Sequence, residues 1–136
     1  MREYIFRAKR EKNGYWIDGG YFSYRDFKGE EICTVVHNGY ANDIIPDTVG
    51  MFTGKQLNGE RLFQDDIVEW YEDVDDSWGY TKEVHGYSLV VWDEENFCWA
   101  FMSDDGKKTP FNDWTWENCQ IAGNIHDHPD LFEVKI

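Results

Sequence analysis

Apolar and polar residues alternate along this chain in short runs. Nowhere do apolar positions recur with a 3.6-residue period over a dozen residues, so the pattern predicts strands and turns with little helix. Tyr4–Ala8 and Tyr15–Ile17 flank Lys12-Asn13-Gly14, and Asn-Gly tolerates the positive φ that a tight hairpin turn requires. Tyr21–Tyr24 follows a break at Gly19-Gly20. Ile32–His37 is rich in β-branched residues and ends at Asn38-Gly39. Ile44-Ile45 runs into Pro46, as at an edge or the end of a strand.

Beyond Pro46 the spacing tightens. Val49–Thr53 reads as a short strand, and a loop through Asn58-Gly59 leads to Leu62-Phe63, then to Asp65-Asp66 and the strand Ile67–Tyr71. In that strand Ile67, Glu69 and Tyr71 point one way, and Val68 and Trp70 the other. Glu72–Gly79 reads as an acidic loop. Tyr87–Trp92 and Phe97–Met102 form a strand pair around an Asp93–Asn96 turn, and Ser103–Lys108 turns on Asp105-Gly106. Asp113–Cys119 fits one helical turn capped by Asn112 or Asp113. Gln120–His126 is a last strand, closed by a turn around Pro129.

Several short strands joined by tight turns describe a small barrel or sandwich. With 136 residues the chain can bury a core without disulfide staples. Aromatic residues form 18% of it, so a few large rings suffice for that core and the others are available to an interface. No apolar run is long enough to cross a bilayer as a helix, and the opening Met1–Arg7 has no apolar stretch of the signal-peptide kind. Cys33, Cys98 and Cys119 are odd in number, widely spaced and without a C-x-x-C pair. They read as reduced, mostly buried thiols of a cytoplasmic protein.

Charge divides the chain in two. Residues 1–59 carry 8 acidic and 8 basic side chains; residues 60–136 carry 19 acidic and 5 basic, which accounts for the whole net charge of −14. Such a balance opposes nucleic-acid binding through a broad face, because that binding neutralises phosphates with Lys and Arg.

Asp47-Thr48-Val49-Gly50-Met51-Phe52-Thr53-Gly54, followed by Asn58-Gly59-Glu60 and Phe63-Gln64-Asp65-Asp66-Ile67-Val68, resembles the central signature of the YopX family of bacteriophage and prophage proteins. Met1-Arg2-Glu3 with Phe6-Arg7-Ala8 is similar to that family's beginning. Val91-Trp92, Gly123-Asn124-Ile125 and Pro129-Asp130-Leu131 are similar to its end. Met51 stands where the family often has Gln, and Asp65 where it often has Gly. The resemblance implies an SH3-like barrel over residues 47–136, preceded by a β extension over residues 1–46. It also implies phage or prophage origin and a homo-oligomer. It implies no activity and no catalytic residues.

Residues suggestive of chemistry have plainer readings. His126-Asp127-His128 offers three ligand types, but in a turn and with no zinc-site spacing. Glu72-Asp73-Val74-Asp75-Asp76 lacks the glycine and glutamate positions of a calcium loop. Asp65-Asp66 fits a turn better than a carboxylate pair for acid–base work, and Cys98 and Cys119 have no nucleophile signature. The expectation is therefore no enzyme, no cofactor and no metal.

What remains is a β-rich module that works through contacts with a host or phage protein. Trp70, Tyr71, Asp73, Asp75, Asp76 and Trp78 form one candidate interaction surface, and the basic Arg7, Lys9 and Arg10 form another, so that copies could associate head to tail. The alternative is an acidic DNA mimic that occupies the basic cleft of a nucleic-acid-binding protein. Direct nucleic-acid binding through Arg7–Lys12 is opposed by the acidic remainder.

Overall fold

A computed structural model describes residues 4–135, and the opening Met1-Arg2-Glu3 of the resemblance lies outside them. Eleven strands and two single 3₁₀ turns are found among the described residues, arranged in two antiparallel sheets. The chain divides into two compact units, Met1–Lys55 and Gln56–Ile136.

The first unit contains β1 (Phe6–Lys9), β2 (Trp16–Arg25), β3 (Glu31–His37), β4 (Tyr40–Asp43) and most of β5 (Gly50–Leu57), in the spatial order β4-β3-β2-β1-β5. Asn38 and Gly39 both take positive φ, which gives the β3–β4 hairpin the turn its sequence predicts. Ala8, Val35 and Ile44 are buried together, with Ile17, Cys33 and Val49 packed against them. Gly19-Gly20 does not interrupt the strand: β2 runs through it for ten residues. The glycine serves close approach instead, because a Cβ at Gly19 would lie 1.8 Å from the carbonyl oxygen of Val36. Ile44 bridges Arg10 and donates its N–H to the Cys33 carbonyl before a 3₁₀ turn at Pro46–Thr48.

β5 crosses the boundary and is followed, through the positive-φ pair Asn58-Gly59, by β6 (Glu60–Phe63). The second unit continues with β7 (Asp66–Asp75), β8 (Thr81–Asp93), β9 (Cys98–Met102), β10 (Lys108–Pro110) and β11 (Cys119–Asn124). Their order is β10-β9-β8-β7-β11. Among the described residues that order does not close on itself, so it is an antiparallel sheet without the closure of the SH3-like barrel that the resemblance implied. Leu57, Leu62, Val68, Val90, Phe101 and Cys119 form the buried cluster. Phe101 is its centre, with ring centroids of Phe111 and Trp114 at 4.8 and 4.1 Å. Asp113–Cys119 is not a helical turn; the one 3₁₀ turn nearby ends at Asp113 and its Pro110 N-cap makes no side-chain bond. Among the described residues no helix is long and apolar enough to cross a membrane.

Candidate functional site

β7 begins buried on both faces, at Ile67 and Val68, and ends wholly exposed. Between these ends Trp70 lies over Gly86 of β8, so close that a Cβ there would meet the indole at 2.5 Å, and its ring N–H donates to Ser88 Oγ at 3.2 Å. β11 accompanies β7 only as far as the contact of the Tyr71 N–H with the Asn118 carbonyl. From Glu72 onward β7 pairs with β8 alone, so the pair continues as a two-stranded arm. The expected acidic loop Glu72–Gly79 is therefore corrected: strand continues to Asp75, and only the last residues turn. Alternation made this possible, because in a ribbon exposed on both faces every side chain can reach water.

Asp76 shapes the tip. Its Oδ1 accepts the N–H groups of Trp78 and Tyr80 at 2.8 and 2.9 Å, and Gly79 takes φ 81°. Trp78 is left 83% exposed. Asp75 accepts the Thr81 hydroxyl across the arm at 3.1 Å. Further down the same face Asp73 stands directly opposite Glu83, and Tyr71 stacks on His85 with centroids 5.8 Å apart.

Where β11 ends, a groove of about 450 Å³ opens beside the arm. Its aromatic walls are Trp70, Tyr71 and Trp114, and its carboxylates are Glu72, Asp73, Asp113 and Glu117. An adjoining hollow of about 400 Å³ shares Tyr71, Glu72 and Asp73 and adds Glu83. Among the described residues no Lys or Arg lines either one. Trp114 closes the inner side: its ring N–H is buried and makes no hydrogen bond among the described residues. Burial pushes the Cys119 thiol up, and the nearby Trp114 ring N–H pulls it partly back. Cys119 is thus a neutral packing thiol, while Cys33 and Cys98 are free and only half-buried, a correction to the expectation of mostly buried thiols.

The arm unites Trp70, Tyr71, Asp73, Asp75, Asp76 and Trp78 on one element, although Trp70 faces inward and Asp76 holds the turn. Glu83, Asp113, Trp114 and Glu117 were missed by sequence reasoning. They come from β8 and the stretch before β11, and no local signal in the sequence links them to β7. In the first unit the basic residues are divided. The Arg7 guanidinium and the Lys9 ammonium lie over the Trp16 ring, 4.8 and 5.5 Å from its centroid, whereas Arg10 and Lys12 line an open hollow with Asn42 and Asp43.

The other suggestive residues are tied into the fold. Asp66 is buried and accepts the Phe63 N–H at 2.8 Å, and Asp65 takes φ 72° and meets His126 Nε2 at 3.0 Å. Asp127 Oδ2 accepts from the Asn124 side-chain amide and His128 Nδ1 from the Asn124 backbone N–H, so the 126–128 turn is folded back on Asn124, with the His126 ring held by Asp65.

The family model for the YopX protein matches residues 5–133. The chain belongs to the YopX family. The crystal structure of protein yopX from Bacillus subtilis is similar over 100% of both chains, with a TM-score of 0.51 and 14% sequence identity. At that identity the likeness between the two YopX-family chains is one of fold alone. No curated protein matches the chain.

Proposed function

We propose that this YopX-family chain is a non-enzymatic protein-interaction module of a phage or prophage, acting in the bacterial cytoplasm and meeting its partner with the acidic arm β7–β8. One observation carries the reading: Asp73 is paired directly across the arm with Glu83, beside a groove whose lining, among the described residues, contains no Lys or Arg. Like charges directly opposite in a sheet are destabilising, and a cationic partner would relieve the repulsion. The exposed Trp78 at the tip adds the kind of side chain on which interfaces concentrate their affinity.

Self-association belongs to the same reading. Within the Arg7–Lys12 cluster, Arg10 and Lys12 line an open hollow while Arg7 and Lys9 lie on the Trp16 ring, and Arg10 and Lys12 would orient one copy on the acidic unit of another. Light scattering at increasing concentration tests this. We expect a mass above the monomer that falls when Arg10→Glu and Lys12→Glu are combined. A wild type that remains monomeric ends the self-association reading.

The second unit, with 19 acidic and 5 basic residues, also supports a second reading as a DNA mimic. In that case a basic nucleic-acid-binding protein would form a salt-sensitive complex that DNA displaces.

A further inference from the structure

The arm exposes more than charge. β11 stops at Cys119 opposite Trp70, so the backbone edge of β7 from Glu72 to Asp75 continues past the end of its neighbour. The Tyr71 N–H points to the β11 side, where it reaches the Asn118 carbonyl. Successive residues of an antiparallel strand direct their N–H and C=O groups to opposite sides, so those of Asp73 and Asp75 point outward along the same edge. Asp76 agrees with that phase, since its N–H turns the other way, to the carbonyl of Tyr80 just before β8.

We infer that an extended, Lys- or Arg-bearing segment of a partner protein adds to this edge as a strand, continuing the line of β11. The inference rests on the proposed interaction role and specifies its mode. Main-chain bonds to Asp73 and Asp75 supply register and much of the affinity, as in other strand additions. Alternate side chains of the incoming strand then fall on the two sides of the edge. The groove carboxylates Glu72, Asp73 and Glu117 receive cations there, and the Tyr71 and Trp114 rings offer faces for cation–π contact. Charge complementarity selects the partner: an acidic segment would be repelled, and an uncharged one would leave the Asp73–Glu83 repulsion in place. A competing use of the same charges is to keep this edge from pairing with anything.

Amide hydrogen exchange on the full chain separates the two uses. The probes are a short synthetic peptide of alternating lysine and threonine, the same peptide with glutamate for lysine, and a lysine peptide N-methylated at alternate backbone positions. Strand addition predicts that the lysine peptide slows exchange at Asp73 and Asp75 by about tenfold or more, while the other two do not. Asp73→Pro and Asp75→Pro each remove one outward N–H without touching the ladder to β8. Either is expected to weaken the peptide by about tenfold, corresponding to one lost hydrogen bond of ~1.4 kcal/mol. Asp73→Asn keeps the edge and is expected to reduce mainly the salt dependence. Should a proline variant misfold by circular dichroism, Asp73→Asn and the N-methylated peptide still decide the matter.

Equal binding of the N-methylated peptide, or binding without protection at Asp73 and Asp75, overturns strand addition and leaves the arm as an acidic contact surface. No binding of the lysine peptide overturns it as well. Protection that appears without peptide and grows with protein concentration would identify a second copy of the chain as the occupant, and so overturn the partner stated here. The broader interaction role stands or falls separately, on whether reversing Glu72 and Glu117 together to Lys changes capture of partners by the chain.

Discussion

Gly86 is where a single hydrogen atom holds the base of the arm together. The Trp70 indole occupies the space a β-carbon would need, and its N–H is anchored to Ser88. Gly86→Ala must push the ring away from the core cluster it covers, and overpacking of this kind costs about 1–3 kcal/mol. Thermal or urea unfolding would register the loss, together with a change in tryptophan emission. Asp93 makes a different residue-level prediction. The Asn96 side-chain amide donates to it at 2.8 Å, backbone N–H groups of Glu95 and Asn96 add support, and Lys108 lies 4.0 Å away. These contacts hold the carboxyl below its ordinary value of 3.8 against the opposing effect of desolvation. A carboxyl with a folded pKa below its unfolded one stabilises the fold above the unfolded value, and that contribution disappears as pH falls through the folded value. The melting temperature should therefore drop on acidification below about pH 4. Asp93→Asn should melt lower at neutral pH and lose less over the same acid range.

At the scale of elements, one turn design recurs. Asp26 and Asp76 each accept two backbone N–H groups through Oδ1, each is followed three residues later by a glycine with positive φ, and each closes a hairpin. Both tips raise an aromatic side chain into water: Phe27 is 95% exposed and Trp78 83%. The two hairpins differ along their length. In the β2–β3 pair Arg25 stands opposite Glu31, an attractive pair, whereas in the arm Asp73 stands opposite Glu83. If that repulsion is kept for a partner's benefit, Glu83→Lys should trade function for stability. We expect it to stabilise the arm by roughly 0.2–1 kcal/mol, seen as slower amide exchange at Val74 and Lys82, which stand opposite each other in the bonded phase of the ladder, while weakening a cationic partner. An arm whose exchange is unchanged by the substitution would show that water already screens the pair.

For the whole molecule, the division into units coincides with the division of charge, since residues 56–59 carry none. The neutral unit and the unit of net charge −14 should therefore respond differently to salt, and head-to-tail association should weaken as ionic strength rises. Light scattering in a salt series measures it, and an oligomer indifferent to salt would point to the aromatic surfaces alone. The sequence by itself determined the β class, the Asn-Gly hairpins, the charge division and the family, because alternation, turn geometry and side-chain charge are local properties. It placed Trp70, Tyr71, Asp73 and Trp78 near one another for the same reason. Reading Glu72–Gly79 as a loop failed because carboxylates are poor strand formers on average, and their tolerance here depends on β8 lying alongside to satisfy the backbone. Only the tertiary structure decided that Glu83, Trp114 and Glu117 join them, and that β11 ends at Trp70 and leaves an acidic edge open. Which strands pair, and where a pairing stops, depends on contacts between residues about 50 positions apart, for which no short stretch of sequence carries a signal.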